Sequence, residues 1–190
     1  MLSDKVVKNS LVNALLEAIF DVLDADGRKS IIQFANVDIT NEKLPSKGTT
    51  SFDDFIKLVN AMNFLLAYSK TVMYEIGRKF SFYFSPYGGT LSDFIDLIQN
   101  TLSNEMKTEI SYPKDNMILI KIKNCPFCKG AVTILPGRKT EGFTCEFFKG
   151  LIYGTMAKSS DLGDSIEVSH ICKGLNECIF EVEIQKKEKE

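Results

Sequence analysis

The stretch Thr108–Lys123, TEISYPKDNMILIKIK, decides the fold predicted for this chain. Thr108–Tyr112 and Met117–Lys123 alternate between apolar and polar residues, as strands with one buried face do. Pro113–Asn116 separates them with turn-forming residues, so the stretch predicts a β-hairpin. One helix and two more strands are expected downstream, over residues 143–159, 165–171 and 178–184. The C-terminal part therefore has the order β-β-α-β-β.

Helices precede this β-rich part of the chain. Residues 10–24 follow the period of an amphipathic helix, which Ala25–Gly27 is expected to end. Residues 52–84 predict one long helix, or two helices joined near Ala67–Thr71, and a further helix is expected from Thr90. We therefore expect an α+β fold in which N-terminal helices pack on a small antiparallel β-sheet and the C-terminal part is ββαββ.

The length and charge of the chain limit its function. Its 190 residues suit one ligand-binding domain over 51–185, with a helix-and-loop elaboration over 1–50 and a charged tail over 186–190. A net charge of −2 argues against a general nucleic-acid surface, and no apolar run approaches the ~20 residues of a membrane span. Because the N-terminus also lacks a secretory signal, we expect a cytoplasmic protein whose thiols stay reduced.

All five cysteines and the only histidine fall in the C-terminal third of the chain. The predicted topology carries them to one end of the sheet, because the elements that hold them start or stop there. Thiolates and imidazole are ligands of tetrahedral zinc, so the cluster predicts a structural zinc site. The candidate metal ligands are Cys125, Cys128, Cys145, Cys172 and Cys178, with His170 as an alternative fourth ligand.

Other interpretations of the same residues stay open. A buried cysteine on an apolar helix, such as Cys145, is often only a small hydrophobic residue. Cys125 and Cys128 also have the spacing of a dithiol redox motif, although the residues after them do not predict the helix that such motifs need. His170 suits a plain surface or core histidine equally well.

An aromatic cluster gives a second candidate site. Phe80, Tyr83, Phe84 and Tyr87 lie close together in the sequence. Core packing is the first interpretation of this cluster, and the wall of an apolar ligand pocket is the second. The chain has no phosphate-binding glycine loop, no nucleophile elbow and no recognisable carboxylate pair, so the sequence shows no hydrolytic machinery.

The C-terminal residues resemble the 4-vinyl reductase domain family, also called hydrocarbon-binding proteins. The resemblance covers about residues 55–185 and is carried by Cys145, Gly150, Gly154, the strand over 163–168, Cys172, Gly174 and the strand over 178–184. It implies a fold similar to subunits of the TRAPP vesicle-tethering complex, a homodimer, and a small-molecule sensor. Some archaeal members of that family are redox-responsive regulators.

The same resemblance implies a ligand set for zinc. Cys145, Cys172 and Cys178 match the three thiols of the family's site. The family's glutamate ligand would fall at Ser169, so Cys125, Cys128 or His170 would have to supply the fourth ligand.

Three functions follow from these features. The first is a binding or sensor protein for a small hydrophobic or aromatic ligand, with a structural zinc and no direct contact with nucleic acid or membrane. The second is a thiol redox switch that uses the same cysteines. The third is an enzyme of tetrapyrrole or aromatic metabolism, for which the sequence supplies no reductase chemistry.

Overall fold

The computed structural model describes residues 5–39, 43–84, 106–125, 143–159, 166–172 and 177–185. In these residues the elements, in chain order, are β1 (Val6–Lys8), α1 (Asn9–Ala35), β2 (Thr49–Ser51), α2 (Phe52–Leu65), α3 (Lys70–Phe84), β3 (Lys107–Lys114), β4 (Met117–Lys123), α4 (Phe143–Ser159), β5 (Ile166–Cys172) and β6 (Glu177–Ile184). The helix predicted from Thr90 lies outside the described residues.

The four C-terminal strands form one antiparallel sheet in the order β3-β4-β6-β5. The predicted hairpin is present, with Ile110 opposite Ile120. Along β4 the burial alternates, and the buried side chains are Ile118, Ile120 and Ile122. Because alternate side chains of a strand point to opposite faces, one face of the sheet is apolar and receives the helices. The α+β fold and the ββαββ order are therefore confirmed.

The first helix is longer than predicted. It continues to Ala35, but Asp24 interrupts it with φ 70° and ψ −172°. The Asp24 carboxylate accepts hydrogen bonds from the backbone N–H groups of Asp26 (2.9 Å) and Gly27 (3.0 Å). These bonds cap a second helical segment, so the predicted end of the helix at Ala25–Gly27 is a kink within it.

Two short strands near the N-terminus were not predicted. β1 pairs antiparallel with β2, and two buried asparagines of α1 fix the segment that leads to β2. The Asn13 side chain donates to the carbonyl of Leu44 and accepts from its N–H, both at 2.9 Å. Asn9 donates to the carbonyl of Pro45 (3.0 Å) and accepts from the Thr50 hydroxyl (2.9 Å).

The second predicted alternative for residues 52–84 is correct, since two helices, α2 and α3, replace one long helix. Ser51 caps α2 by accepting a hydrogen bond from the Asp54 N–H at 3.1 Å. α4 then packs between α3 and the sheet, and a single apolar cluster of buried residues runs from Val7 to Val182. Within the described part of the chain, no helix combines the length and the apolar character that a bilayer crossing requires.

Candidate functional site

Two of the predicted metal-ligand positions, Cys172 and Cys178, lie at one end of the four-stranded sheet. Cys178, near the start of β6, is paired on one side with Ile122 of β4. On its other side it is paired with Cys172, the last residue of β5. Cys172 and Cys178 are therefore direct cross-strand neighbours. In such pairs the Cα atoms of the two opposite residues are about 4.5–5.5 Å apart.

Helix α4 brings a third cysteine to this end of the sheet. Cys145 lies in its first turn, and its Sγ is 3.4 Å from the Sγ of Cys178. Only 3% of Cys145 and 4% of Cys178 is exposed. The placement follows from the apolar face of α4, where Phe148 packs on Phe180 of β6 with the ring centroids 6.4 Å apart. The arrangement is a buried pair of thiols between a helix and a strand.

The other predicted metal ligands are placed differently or not described. Cys125 is also buried, directly after Asn124, which has a positive φ of 58° and ends β4. His170 is described only by its backbone, which pairs with Phe180. Cys128 lies outside the described residues. The structure thus brings Cys145, Cys172 and Cys178 to one place through contact and register.

Helices α3 and α4 cross in close contact through two reciprocal glycines. A Cβ on Gly77 would overlap the carbonyl oxygen of Phe147, and a Cβ on Gly150 would overlap that of Tyr74. Gly154 likewise lies against Ser81. The glycines of α4, Gly150 and Gly154, therefore allow close packing of the two helices.

A cavity of about 350 Å³ opens beside this contact, between α3, α4 and β5. The rings of Tyr74 and Tyr153 form two of its walls, and their centroids are 6.1 Å apart. The Lys149 ammonium lies 5.8 Å from the centroid of the Tyr74 ring. Burial raises the pKa of the Tyr74 phenol to about 12, helped by the nearby Tyr153. The volume of the cavity falls in the range that is usual for small-molecule sites. The lining residues are Lys70, Thr71, Tyr74, Glu146, Lys149, Tyr153, Ile166, Glu167 and Val168.

Sequence reasoning did not identify this cavity, because Tyr74 and Tyr153 lie on different helices. The glycines were the available signal, since they let the two helices approach and set the rings together. Phe80, Tyr83 and Phe84, for which core packing was the first interpretation and a pocket wall the second, do not line this cavity. Phe80 is fully buried and packs on Phe147 with centroids 5.6 Å apart, and Tyr83 donates a 2.9 Å hydrogen bond to Asp21. Phe84 packs at the edge of the core, and Tyr87 is outside the described residues.

Comparison with protein-family models and with curated protein sequences finds no match. Among solved structures the chain is similar to H-NOX proteins. The Fe(II) unliganded H-NOX protein from K. algicida has a TM-score of 0.61 and 12% identity over 97% of this chain and 100% of that one. The H-NOX protein from S. oneidensis in the Fe(II)NO state has a TM-score of 0.59 and 13% identity, with 95% and 100% covered. An oxygen-binding H-NOX domain related to soluble guanylate cyclases has a TM-score of 0.56 and 13% identity, with 97% and 100% covered. At this identity the likeness shows the fold.

Two predictions are wrong. The fold matches are H-NOX structures, so the resemblance to the 4-vinyl reductase domain family was misleading. The zinc cofactor fails as well, because the H-NOX structures are described with haem and iron. In the described ranges, moreover, no group of three or more histidine, cysteine or acidic side chains is arranged to hold a metal ion. Closed tetrahedral zinc needs four such donors, whereas the described side chains bring two thiols into contact.

Proposed function

We propose that this chain is a small-molecule sensor domain built on the H-NOX fold. The observation that supports it is the extent of the fold likeness, which covers at least 95% of this chain and 98% of the solved H-NOX chain in each comparison. Those proteins are described in oxygen-bound, nitric-oxide-bound and unliganded forms, which is the behaviour of a ligand-binding sensor. Ligand binding is therefore the role that we propose for this chain.

Haem is the first ligand to consider, and the donor set does not fit a haem held by histidine. Haem iron takes histidine, cysteine, methionine or tyrosine as axial ligand. The only histidine, His170, stands opposite Phe180 in the sheet. Phe180 is fully buried, and Phe148 of α4 packs on its ring. Helix α4 therefore covers the sheet at the residue that is paired with His170.

The cavity beside Tyr74 and Tyr153 is the better candidate for a ligand in the described part of the chain. It offers two aromatic rings for stacking and the ammonium groups of Lys70 and Lys149 for a polar substituent. The carboxylates of Glu146 and Glu167 at its wall balance those charges. A flat aromatic molecule with a hydrogen-bonding group matches this lining.

A haemin titration and a ligand screen test the proposal together. Haemin is added to the wild type and to His170→Ala, and the Soret band is followed. We expect no Soret shift that depends on His170. A shift in the wild type that is lost in His170→Ala would overturn the conclusion about the donor set and leave a haem sensor.

The screen measures the melting temperature with simple phenols and aromatic carboxylates, and native mass spectrometry looks for a retained small molecule. We expect a bound molecule or a stabilising compound whose effect falls in Tyr74→Ala. The matched control is Tyr68→Ala, because Tyr68 is 79% exposed and does not line the cavity. No retained molecule, no stabilising compound and no haemin binding would together reject the sensor function. The predicted homodimer and the cytoplasmic location belong to this proposal. The molar mass of the purified protein in solution tests the homodimer, and cell fractionation tests the location.

A second function, a thiol redox switch, is favoured by the contact between Cys145 and Cys178.

A further inference from the structure

We infer that Cys145 and Cys178 form an oxidisable thiol pair whose disulfide would join the start of α4 to the start of β6. Their Sγ atoms are already 3.4 Å apart. A disulfide needs a separation of about 2.05 Å, so the sulfurs must approach by about 1.4 Å. This inference rests on the second proposed function, the thiol redox switch, and not on the small-molecule site, because the pair and the cavity involve different residues.

The burial of the pair selects the kind of oxidant. Both cysteines are at most 4% exposed, so a bulky charged oxidant would reach them only through opening of the fold. A small neutral peroxide is the oxidant class that suits such a site. One cysteine loses its proton and attacks a peroxide oxygen as the thiolate, which breaks the O–O bond; the released hydroxide takes up that proton, so the products are a sulfenic acid and one water. The second cysteine then attacks the sulfenic sulfur as a thiolate and forms the disulfide, and the displaced hydroxide takes up the second thiol proton and leaves as water. Two thiols and one hydrogen peroxide thus give one disulfide and two waters, with the sulfurs oxidised and the peroxide reduced.

The position of Cys145 gives the bond a structural consequence. The disulfide would tie the first turn of α4 to the start of β6, and Gly77 and Gly150 hold the same helix in direct backbone contact with α3. Helix α3 in turn holds α1 through Asp21, which binds the Lys79 ammonium at 3.1 Å and the Tyr83 hydroxyl at 2.9 Å. Oxidation would therefore link the start of β6 covalently to a helix that is packed tightly on α3, and through α3 on α1.

Other cysteine pairs are the competing outcomes. Cys172 is the cross-strand neighbour of Cys178, and Cys125 and Cys128 are close in sequence. The geometry favours Cys145 with Cys178 because theirs is a sulfur–sulfur contact rather than a proximity of backbone or sequence.

The test treats the folded protein with hydrogen peroxide, alkylates it under denaturing conditions and maps the linked peptides. We expect two of the five thiols to disappear and one linked pair, the peptides of Cys145 and Cys178. Cys145→Ser and Cys178→Ser should each abolish this loss. The matched control is Cys125→Ser, since Cys125 is as buried as the pair. On oxidation this variant should lose the same two thiols as the wild type.

Peptide mapping of the wild type keeps the test decisive even if a serine variant fails to fold. A link between Cys172 and Cys178, or between Cys125 and Cys128, would overturn the assignment, as would resistance of all thiols to peroxide in the native state. Failure of haemin or aromatic ligands to bind would leave this result unaffected.

Discussion

Replacing Gly150 by alanine tests the contact between α3 and α4 most directly. An ideal Cβ at this position would overlap the carbonyl oxygen of Tyr74 and lie 2.9 Å from its carbonyl carbon and 3.0 Å from the Arg78 nitrogen. All three are backbone atoms of α3, so no side-chain rotation makes room. One helix must move away from the other.

The expected magnitude follows from two opposing effects. Over-packing costs about 1–3 kcal/mol, and an obstacle made of backbone belongs at the upper end. Alanine returns up to about 1 kcal/mol, because glycine is the poorer helix former. We therefore expect Gly150→Ala to lower the free energy of unfolding by about 2 kcal/mol. With a urea m-value of about 2 kcal/mol/M, the unfolding midpoint falls by about 1 M.

Gly154 supplies a matched comparison on the same helix. Its Cβ would overlap the hydroxyl oxygen of Ser81, a side-chain atom, and lie 2.9 Å from the carbonyl oxygen of Arg78. Ser81→Ala removes that hydroxyl, so the double variant should lose less stability than the sum of the single variants. Unchanged stability in Gly150→Ala, or strict additivity at Gly154 and Ser81, would refute the close approach of the helices.

Three further outcomes follow from single contacts. Asn13→Ala leaves both backbone groups of Leu44 without their side-chain partner, and urea unfolding should show a loss of about 1–3 kcal/mol; unchanged stability would contradict this. Spectrophotometric titration should show that the Tyr74 phenol, identified by its loss in Tyr74→Phe, ionises near pH 12. Because this folded-state pKa lies above the ordinary value of 10.0, the stability that Tyr74 contributes is complete below pH 10.0 and is lost as the pH rises towards 12. Hydrogen bonding to Lys79 and Tyr83 lowers the pKa of Asp21, so its contribution is present above the ordinary carboxyl pKa and is lost on acidification; Lys79→Met should reduce that acid dependence, with a cost of about 0.2–1 kcal/mol at neutral pH.

The sheet was predictable because burial on one face imposes a period of two on its strands. The alternation of β4 is direct evidence of this, and the interruption at Pro113–Asn116 marks the hairpin turn. The kink of α1 was less accessible, because Asp24 can end a helix or restart one through its own carboxylate. β1 and β2 were missed because each has only three residues, and their pairing depends on distant contacts of Asn9.

Parts of the candidate site were also predictable from the sequence, and parts were not. The approach of Cys145 to Cys178 follows from the order of helix and strands, which the sequence supplies. The cofactor does not follow, because thiols in contact serve as metal ligands, as a redox pair or as core residues with equal ease. Zinc was separated from the alternatives by the donor count among the described side chains and by the fold comparison, which depends on backbone shape shared at 12–14% identity. The division of the chain at residue 50 stays a prediction.

The glycine contact also separates the chemistry of the thiol pair from its effect on the fold. Cys145 contacts Cys178 of β6, whereas Gly150 contacts the backbone of α3. Gly150→Ala should therefore leave the reaction of the two thiols with peroxide intact. Once the helices are forced apart, however, α4 no longer holds α3 in backbone contact, so a restraint that the disulfide places on α4 should reach α3 less effectively. Amide hydrogen exchange before and after oxidation should therefore show a change along α3 in the wild type and a smaller change in Gly150→Ala. An equal change in both proteins would mean that the signal reaches α3 by another route. Loss of the Cys145–Cys178 disulfide in the variant would mean instead that α3 itself holds the first turn of α4 in place.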